Sequence, residues 1–305
     1  MKQKIDLRMG REAWALLIIL SVLWGGSFFF AAYAVREVPP LTLVLARVSL
    51  AAVALVVFAY LNGLRLPFDL KTWRSFFIMG VLNNCIPFSL IFWGQIYIAS
   101  GLASIFNATM PIFTVVLAHF LAHDEKLTLA RIFGVVCGVA GVAIMIGPEL
   151  LGTIGENVVA QLAILAAALS YGLASIFGRR FADQPPVITA AGQLSASSII
   201  LLPVVVYLEP FSSQSLPGIS TGAAVLALAL LSTALAYVLF FRILKLAGAT
   251  NVSLVTFLVP VSAIALGVAV LDEQIKFIHI AGMAFIATGL VAIDGRFVSW
   301  FRKKR

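Results

Sequence analysis

"LTLVLARVSLAAVALVVF" occupies residues 41–58 and holds one charged residue, Arg47. A run of this length and apolarity is most of a membrane-crossing helix, which needs roughly 20 such residues. The rest of the chain has the same character. Of its 305 residues 62% are hydrophobic and 11% charged, against about 45–50% and about 25% in an ordinary soluble domain. So few charges cannot cover a water-facing surface, whereas in lipid the apolar surface is the solvated one. The expected class is an all-α integral membrane protein.

Ten apolar runs of spanning length are predicted, over residues 13–35, 40–61, 74–98, 101–122, 128–147, 157–178, 187–208, 220–244, 249–271 and 277–297. Pro39-Pro40, Gly147-Pro148, Pro185-Pro186 and Leu216-Pro217-Gly218 punctuate them, with a turn at Ser100-Gly101. The first run is too long for a signal-peptide core and lacks a small-residue cleavage site after it. Cys85 and Cys137 both lie inside apolar runs and are expected as unpaired, packed thiols. The excess of 21 basic over 13 acidic residues does not mark a nucleic-acid binder, because the basic residues sit at the chain ends and in short connectors. With the N-terminus inside, 18 of the 21 fall on the cytoplasmic side, only Arg36 and Lys276 fall outside, and Arg47 lies within a span. Cationic connectors stay in the cytoplasm, so both termini are expected to be cytoplasmic, in a plasma (inner) membrane.

The second half echoes the first. Trp24-Gly25 corresponds to Tyr171-Gly172, Pro39-Pro40 to Pro185-Pro186, Pro111 to Pro260, Asp124-Glu125 to Asp272-Glu273, Gly134 to Gly282 and Gly141 to Gly289, at offsets between 146 and 149. The expected organisation is therefore two five-helix repeats, residues 1–150 and 151–305, forming one transmembrane unit. Five is odd, so the second copy enters from the opposite side. Such inverted repeats are the architecture of alternating-access transporters.

These residues resemble the drug/metabolite transporter superfamily, EamA type. The resemblance rests on Trp24-Gly25-Gly26-Ser27, an arginine seven residues after Pro40, the series Pro111, Asp124-Glu125, Gly134 and Gly141, and its second copy. It covers nearly the whole chain. Within the superfamily the chain is similar to bacterial exporters of amino acids and related metabolites, the YddG-type aromatic amino acid exporters among them. The resemblance implies a secondary transporter for small amphipathic metabolites.

Polar and aromatic positions near mid-span recur in both halves at helical spacing, and they form the expected substrate-binding set. They are Trp24 and Phe28 with Tyr171 and Ser175, Asn84 and Phe88 with Thr233 and Tyr237, and Asn107 with Thr256. Spacings of three, four and seven place each set on one helix face. Phe92 extends the aromatic set. Proline lacks an N–H and frees the carbonyl four residues earlier. Pro87, Pro111 and Pro260 are expected to kink their helices and release the carbonyls of Asn83, Asn107 and Thr256, each then needing a donor from a neighbouring helix or from an ammonium group. The competing role for each polar residue is an ordinary interhelical hydrogen bond. Gly134, Gly138 and Gly141, with Gly282 and Gly289, are expected to pack helices closely, either within the chain or at a dimer contact.

No GxxxxGK[ST], HExxH or Cys/His cluster occurs, and no nucleophile–base constellation. The chain is expected to be no enzyme and to need no cofactor or metal. Its partners would be a solute and the bilayer, with no nucleic acid, and it would act as a monomer or homodimer. His119 and His123 are four apart and could ligate a metal or carry a proton. Asp124-Glu125 and Asp272-Glu273 sit at helix ends, as caps or as a gate that exchanges partners. No Asp or Glu lies mid-span, although proton-driven transporters keep a buried carboxylate. This favours a neutral or zwitterionic solute moved by uniport or exchange, the alternative being a proton-coupled drug or metabolite exporter. Arg47 lies about 10 Å from the outer end of its helix. It is expected either to anchor the fold on carbonyls or on an outer carboxylate such as Glu37, or to serve as an outer gate or a contact for a substrate carboxylate. Its repeat mate is Gln193. Membrane-impermeant labels are expected to reach tags at both ends from the cytoplasmic side alone; tags in different compartments would contradict the even span count.

Overall fold

The computed structural model describes residues 9–98, 100–122, 127–146, 154–210, 217–262 and 277–294. Asp124-Glu125, Asp272-Glu273 and His123 lie outside these. Lipid offers no hydrogen bonds, so the apolar runs satisfy their backbone internally and form helices. They are α1 (Arg11–Ala34), α2 (Pro40–Leu61), α3 (Leu70–Gly80), α4 (Ile86–Gly94), α5 (Ser100–Asn107), α6 (Met110–Leu121), α7 (Leu129–Ile146), α8 (Val158–Gly178), α9 (Pro186–Leu208), α10 (Ile219–Ala229) and α11 (Ala236–Ser253). A helix over 255–262, here α12, and α13 (Phe277–Asp294) follow. Proline opens α2 and α9 at the first helical position, where its missing N–H costs nothing. Asp69 caps α3 by accepting the Thr72 N–H at 2.8 Å, a bond that holds its carboxyl below the usual carboxylate range.

Among the described residues seven helical stretches, taken across their interruptions, are long and apolar enough to cross a membrane, and two shorter apolar helices run over Leu129–Ile144 and Phe277–Ile293. One of the seven, Ile219–Ser253, is 35 residues long, about 50 Å and well beyond the roughly 30 Å hydrocarbon core. Gly248 divides it. Its φ of +84° lies in the left-handed region that glycine alone adopts freely, and it falls in the connector expected between residues 244 and 249.

Among the described residues two π-helical segments interrupt the helices at matching places. One, Val81–Cys85, joins α3 to α4, and the other, Leu230–Leu235, joins α10 to α11. The contacts are reciprocal as well. α2 packs along α9, α1 on α10 and α11 as α8 packs on α4, and α2 on α10 as α9 packs on α3.

The second helix of each half sets a polar side chain against the other half's π segment. Arg47 Nε donates to Thr233 Oγ1 at 2.6 Å and Nη2 to the Ser232 carbonyl at 3.1 Å. Its mate Gln193 accepts from Asn83 Nδ2 at 3.2 Å. One helical turn on, Ser197 Oγ accepts from Asn84 Nδ2 at 2.8 Å. A π turn leaves backbone and side-chain groups out of α-helical register, and a facing helix supplies their partners. The carbonyl freed by Pro87 is met in the same way, since Tyr237 Oη donates to Asn83 O at 2.9 Å. That acceptor already has a donor within the fold.

The most extensive helix pair is α7 on α13. A Cβ at Gly134 would come within 2.6 Å of the Gly289 carbonyl, and one at Gly141 within 2.7 Å of the Gly282 carbonyl. A Cβ at Gly138 would overlap the Phe257 ring of α12. Small residues here bring two backbones into direct contact, the main source of helix attraction in lipid. Gly141→Leu is expected to separate α7 from α13 and to yield little monodisperse protein after extraction. Tyr237→Phe strands the Asn83 carbonyl and is expected to cost about 0.6–1.7 kcal/mol, read as a lowered thermal unfolding midpoint with the protein still folded.

Candidate functional site

A cavity lies where α1, α2, α4, α8, α11 and the α5–α6 and α11–α12 breaks converge. Trp24 and Phe28 reach it from α1, Phe88 from α4, Asn107 from the end of α5, Tyr171 from α8, Tyr237 from α11 and Thr256 from α12. These are seven of the ten residues expected to face a solute.

Asn84, Ser175 and Thr233 are not on the wall. Asn84 and Thr233 point instead at the facing helices, bonded to Ser197 and Arg47. The cause is the π geometry. In an α-helix a residue four before Phe88 shares its face, but i→i+5 winding aligns the residue five before it. Asn83 therefore lines the cavity with Phe88. Ser175 is fully buried away from the wall, and its hydroxyl has no partner among the described residues.

Aromatic rings make a connected lining. Trp24 lies 6.4 Å from Tyr237 and 5.9 Å from Phe240, between centroids, and Phe88 lies 6.4 Å from Tyr171 and 6.2 Å from Phe92. Ser27, Gln95, Met110, Phe240 and Val259 also line the space. The sequence carried no repeat signal for these five. Ser27 is three residues beyond Trp24, on the same face, and that spacing could have found it.

The two breaks differ from the expected kinks. Pro111 is the second residue of α6, after a two-residue interruption following Asn107. It opens a new helix rather than bending one. Asn107 Oδ1 is left buried with no partner among the described residues. In the second half Leu254 interrupts the helix before Pro260, and Thr256 Oγ1 donates to Ser253 O at 2.9 Å. Discontinuous helices meeting near a chain's centre are the usual frame of transporter sites.

Among the described residues Arg47 is the one charged side chain on the wall. It is 3% exposed, and its guanidinium carbon lies 3.8 Å over the Phe88 ring and 5.8 Å from the Phe92 centroid. The expected anchoring on a carbonyl is present at Ser232, but Glu37 is not its partner. Glu37 accepts instead from the Gly218 N–H at 2.9 Å. His119 Nδ1 accepts from the Leu127 N–H at 3.3 Å. The cavity is narrow, about 50 Å³. This is room for a few waters and well below the roughly 300 Å³ of ordinary ligand pockets.

The sequence profile of the EamA-like transporter family matches the chain twice, over residues 12–147 and 158–293. The uncharacterized transporter YoaV of Bacillus subtilis is 28% identical over 278 residues, covering 90% of this chain and 94% of its own. The uncharacterized inner membrane transporter YedA of Escherichia coli K12 is 26% identical, covering 91% and 89%. Protein PecM of Dickeya dadantii is 25% identical, covering 92% and 91%. A solved crystal structure superimposes with a TM-score of 0.74 at 22% identity, over 92% of this chain and 97% of that one, and so shares the fold. With the family domain present in both halves, around a central aromatic cavity, the chain belongs to the EamA-like transporter family and is a multi-pass membrane transporter.

Proposed function

We propose that this protein moves small amphipathic metabolites, amino acids with neutral or aromatic side chains, out of the bacterial cytoplasm by alternating access. Ten spans, arranged as two inverted five-helix repeats over residues 1–150 and 151–305, would carry both termini on the cytoplasmic side. The observation that carries this reading is the central cavity, walled by aromatic rings from both halves and bounded by a helix break in each. Rings from α1, α4, α8 and α11 suit an apolar body, and Arg47 with Asn107 suits a polar end.

The closeness of the walls fits a carrier caught nearly shut. A solute the size of an aromatic amino acid needs the helices around the cavity to part. The reciprocal docking of α2 and α9 on the two π segments gives each half an equivalent contact to loosen on its own side. A channel needs no such symmetry.

What supports uniport or exchange is the lining, which contains no carboxylate among the described residues. A proton-coupled exporter needs a group that loads and releases the proton near the solute. In proteoliposomes loaded with unlabelled phenylalanine, purified protein is expected to take up labelled phenylalanine by counterflow, equally with and without a pH gradient. Uptake that requires the gradient would establish the proton-coupled alternative, and no uptake of any amino acid would overturn the assignment.

A further inference from the structure

Arg47 carries more than its structural role needs. Nε and Nη2 are committed to Thr233 and the Ser232 carbonyl, and Nη1 has no hydrogen-bond partner among the described residues. The side chain is only 3% exposed, yet its guanidinium stands on the cavity wall.

The second half provides an internal control. Gln193, the repeat mate of Arg47, docks on the equivalent π segment as a neutral group, through Asn83 at 3.2 Å. The mate position is thus docked without a charge, although Gln193 accepts there where Arg47 donates. A buried cation is costly unless an anion compensates it. No carboxylate lies against Arg47 among the described residues, and the Phe88 face at 3.8 Å supplies only part of the compensation. The guanidinium's flat fork fits a carboxylate, and the rings beside it fit an apolar body.

We propose that the solute's own carboxylate is the counter-ion of Arg47, so that the carried molecules are small carboxylates with an apolar, preferably aromatic body, and the amino group of an amino acid is dispensable. The charge that must be present is the negative one. Trp24, Phe28, Tyr171 and Phe240 hold the body, and the wall meets an ammonium with neutral groups alone among the described residues, the Asn107 and Gln95 amide oxygens and the Ser27 hydroxyl included. This inference rests on the transport activity proposed above and narrows its substrate class.

The test uses the purified full-length protein in liposomes with four solutes of one shape: 3-phenylpropanoate, phenylalanine, phenethylamine and 3-phenylpropanamide. Counterflow is expected for both carboxylates, 3-phenylpropanoate at least tenfold faster than the amine or the amide. Arg47→Gln borrows the residue that already docks at the mate position. In this variant the acid-to-amide ratio is expected to fall toward one, while Arg47→Lys keeps a preference for acid. Monodispersity and the thermal unfolding midpoint report whether each variant folds. Should Arg47→Gln not fold, the wild-type ratios decide alone. Faster movement of the amine or amide than of the acid overturns the inference and leaves the transport assignment standing. So does thermal stabilisation by chloride equal to that by 3-phenylpropanoate, which would make a small inorganic ion the counter-ion. No movement of any of the four, or of any amino acid, overturns both.

Discussion

Two polar side chains that reach across the molecule, Arg47 from α2 and Gln193 from α9, hold its halves in register. Each meets a π segment of the opposite half, where the helix has slipped out of α-helical winding and its polar groups need partners from outside. Lipid supplies none. The interrupted helices and the docking side chains therefore require one another. The aromatic cavity lies against this contact, so under the proposed function a solute entering it would touch the groups that join the halves.

The two contacts are alike in geometry and unlike in charge. That inequality breaks the symmetry of the repeat where a solute would bind. A neutral pair on one side and, on the other, a cation with no carboxylate against it among the described residues give the cavity a polarity that two identical halves could not have. The cation is oriented by Thr233, by the Ser232 carbonyl and by the Phe88 face. A guanidinium so held pays little further ordering cost on meeting an anion, as expected of a preorganised site. In the proposed transport cycle the narrowness of the space would make recognition and opening one event, because a solute large enough to touch both Arg47 and Trp24 would have to displace the walls.

Much of this was legible in the sequence because membrane solvation imposes simple rules. Over the described residues the apolar runs became helices, seven stretches of them long enough to span, and Pro39-Pro40 and Pro185-Pro186 marked helix starts. The gap before residue 249 fell at the Gly248 break. Seven of the ten residues chosen for polarity or aromaticity near mid-span came together on one wall. The π segments were not legible. Nothing in Val81–Cys85 or Leu230–Leu235 announces an extra residue per turn, so four-residue spacing pointed to Asn84 and Thr233 where the actual winding placed Asn83 on the wall and turned the other two toward α9 and α2. The partner of the Asn83 carbonyl was half legible. Pro87 showed that an acceptor would be freed, but only tertiary packing showed Tyr237 filling it. Arg47's need for a partner could be read from burial in an apolar run, whereas its pairing with Thr233 depends on a helix nearly two hundred positions away.

A structure of the protein with 3-phenylpropanoate bound tests the central claim most directly. The account predicts the carboxylate against Nη1 of Arg47 and the ring among Trp24, Tyr171 and Phe240, with the bonds to Thr233 and Ser232 kept. Arg47 paired with a carboxylate of the protein, and the ligand held elsewhere, would contradict it.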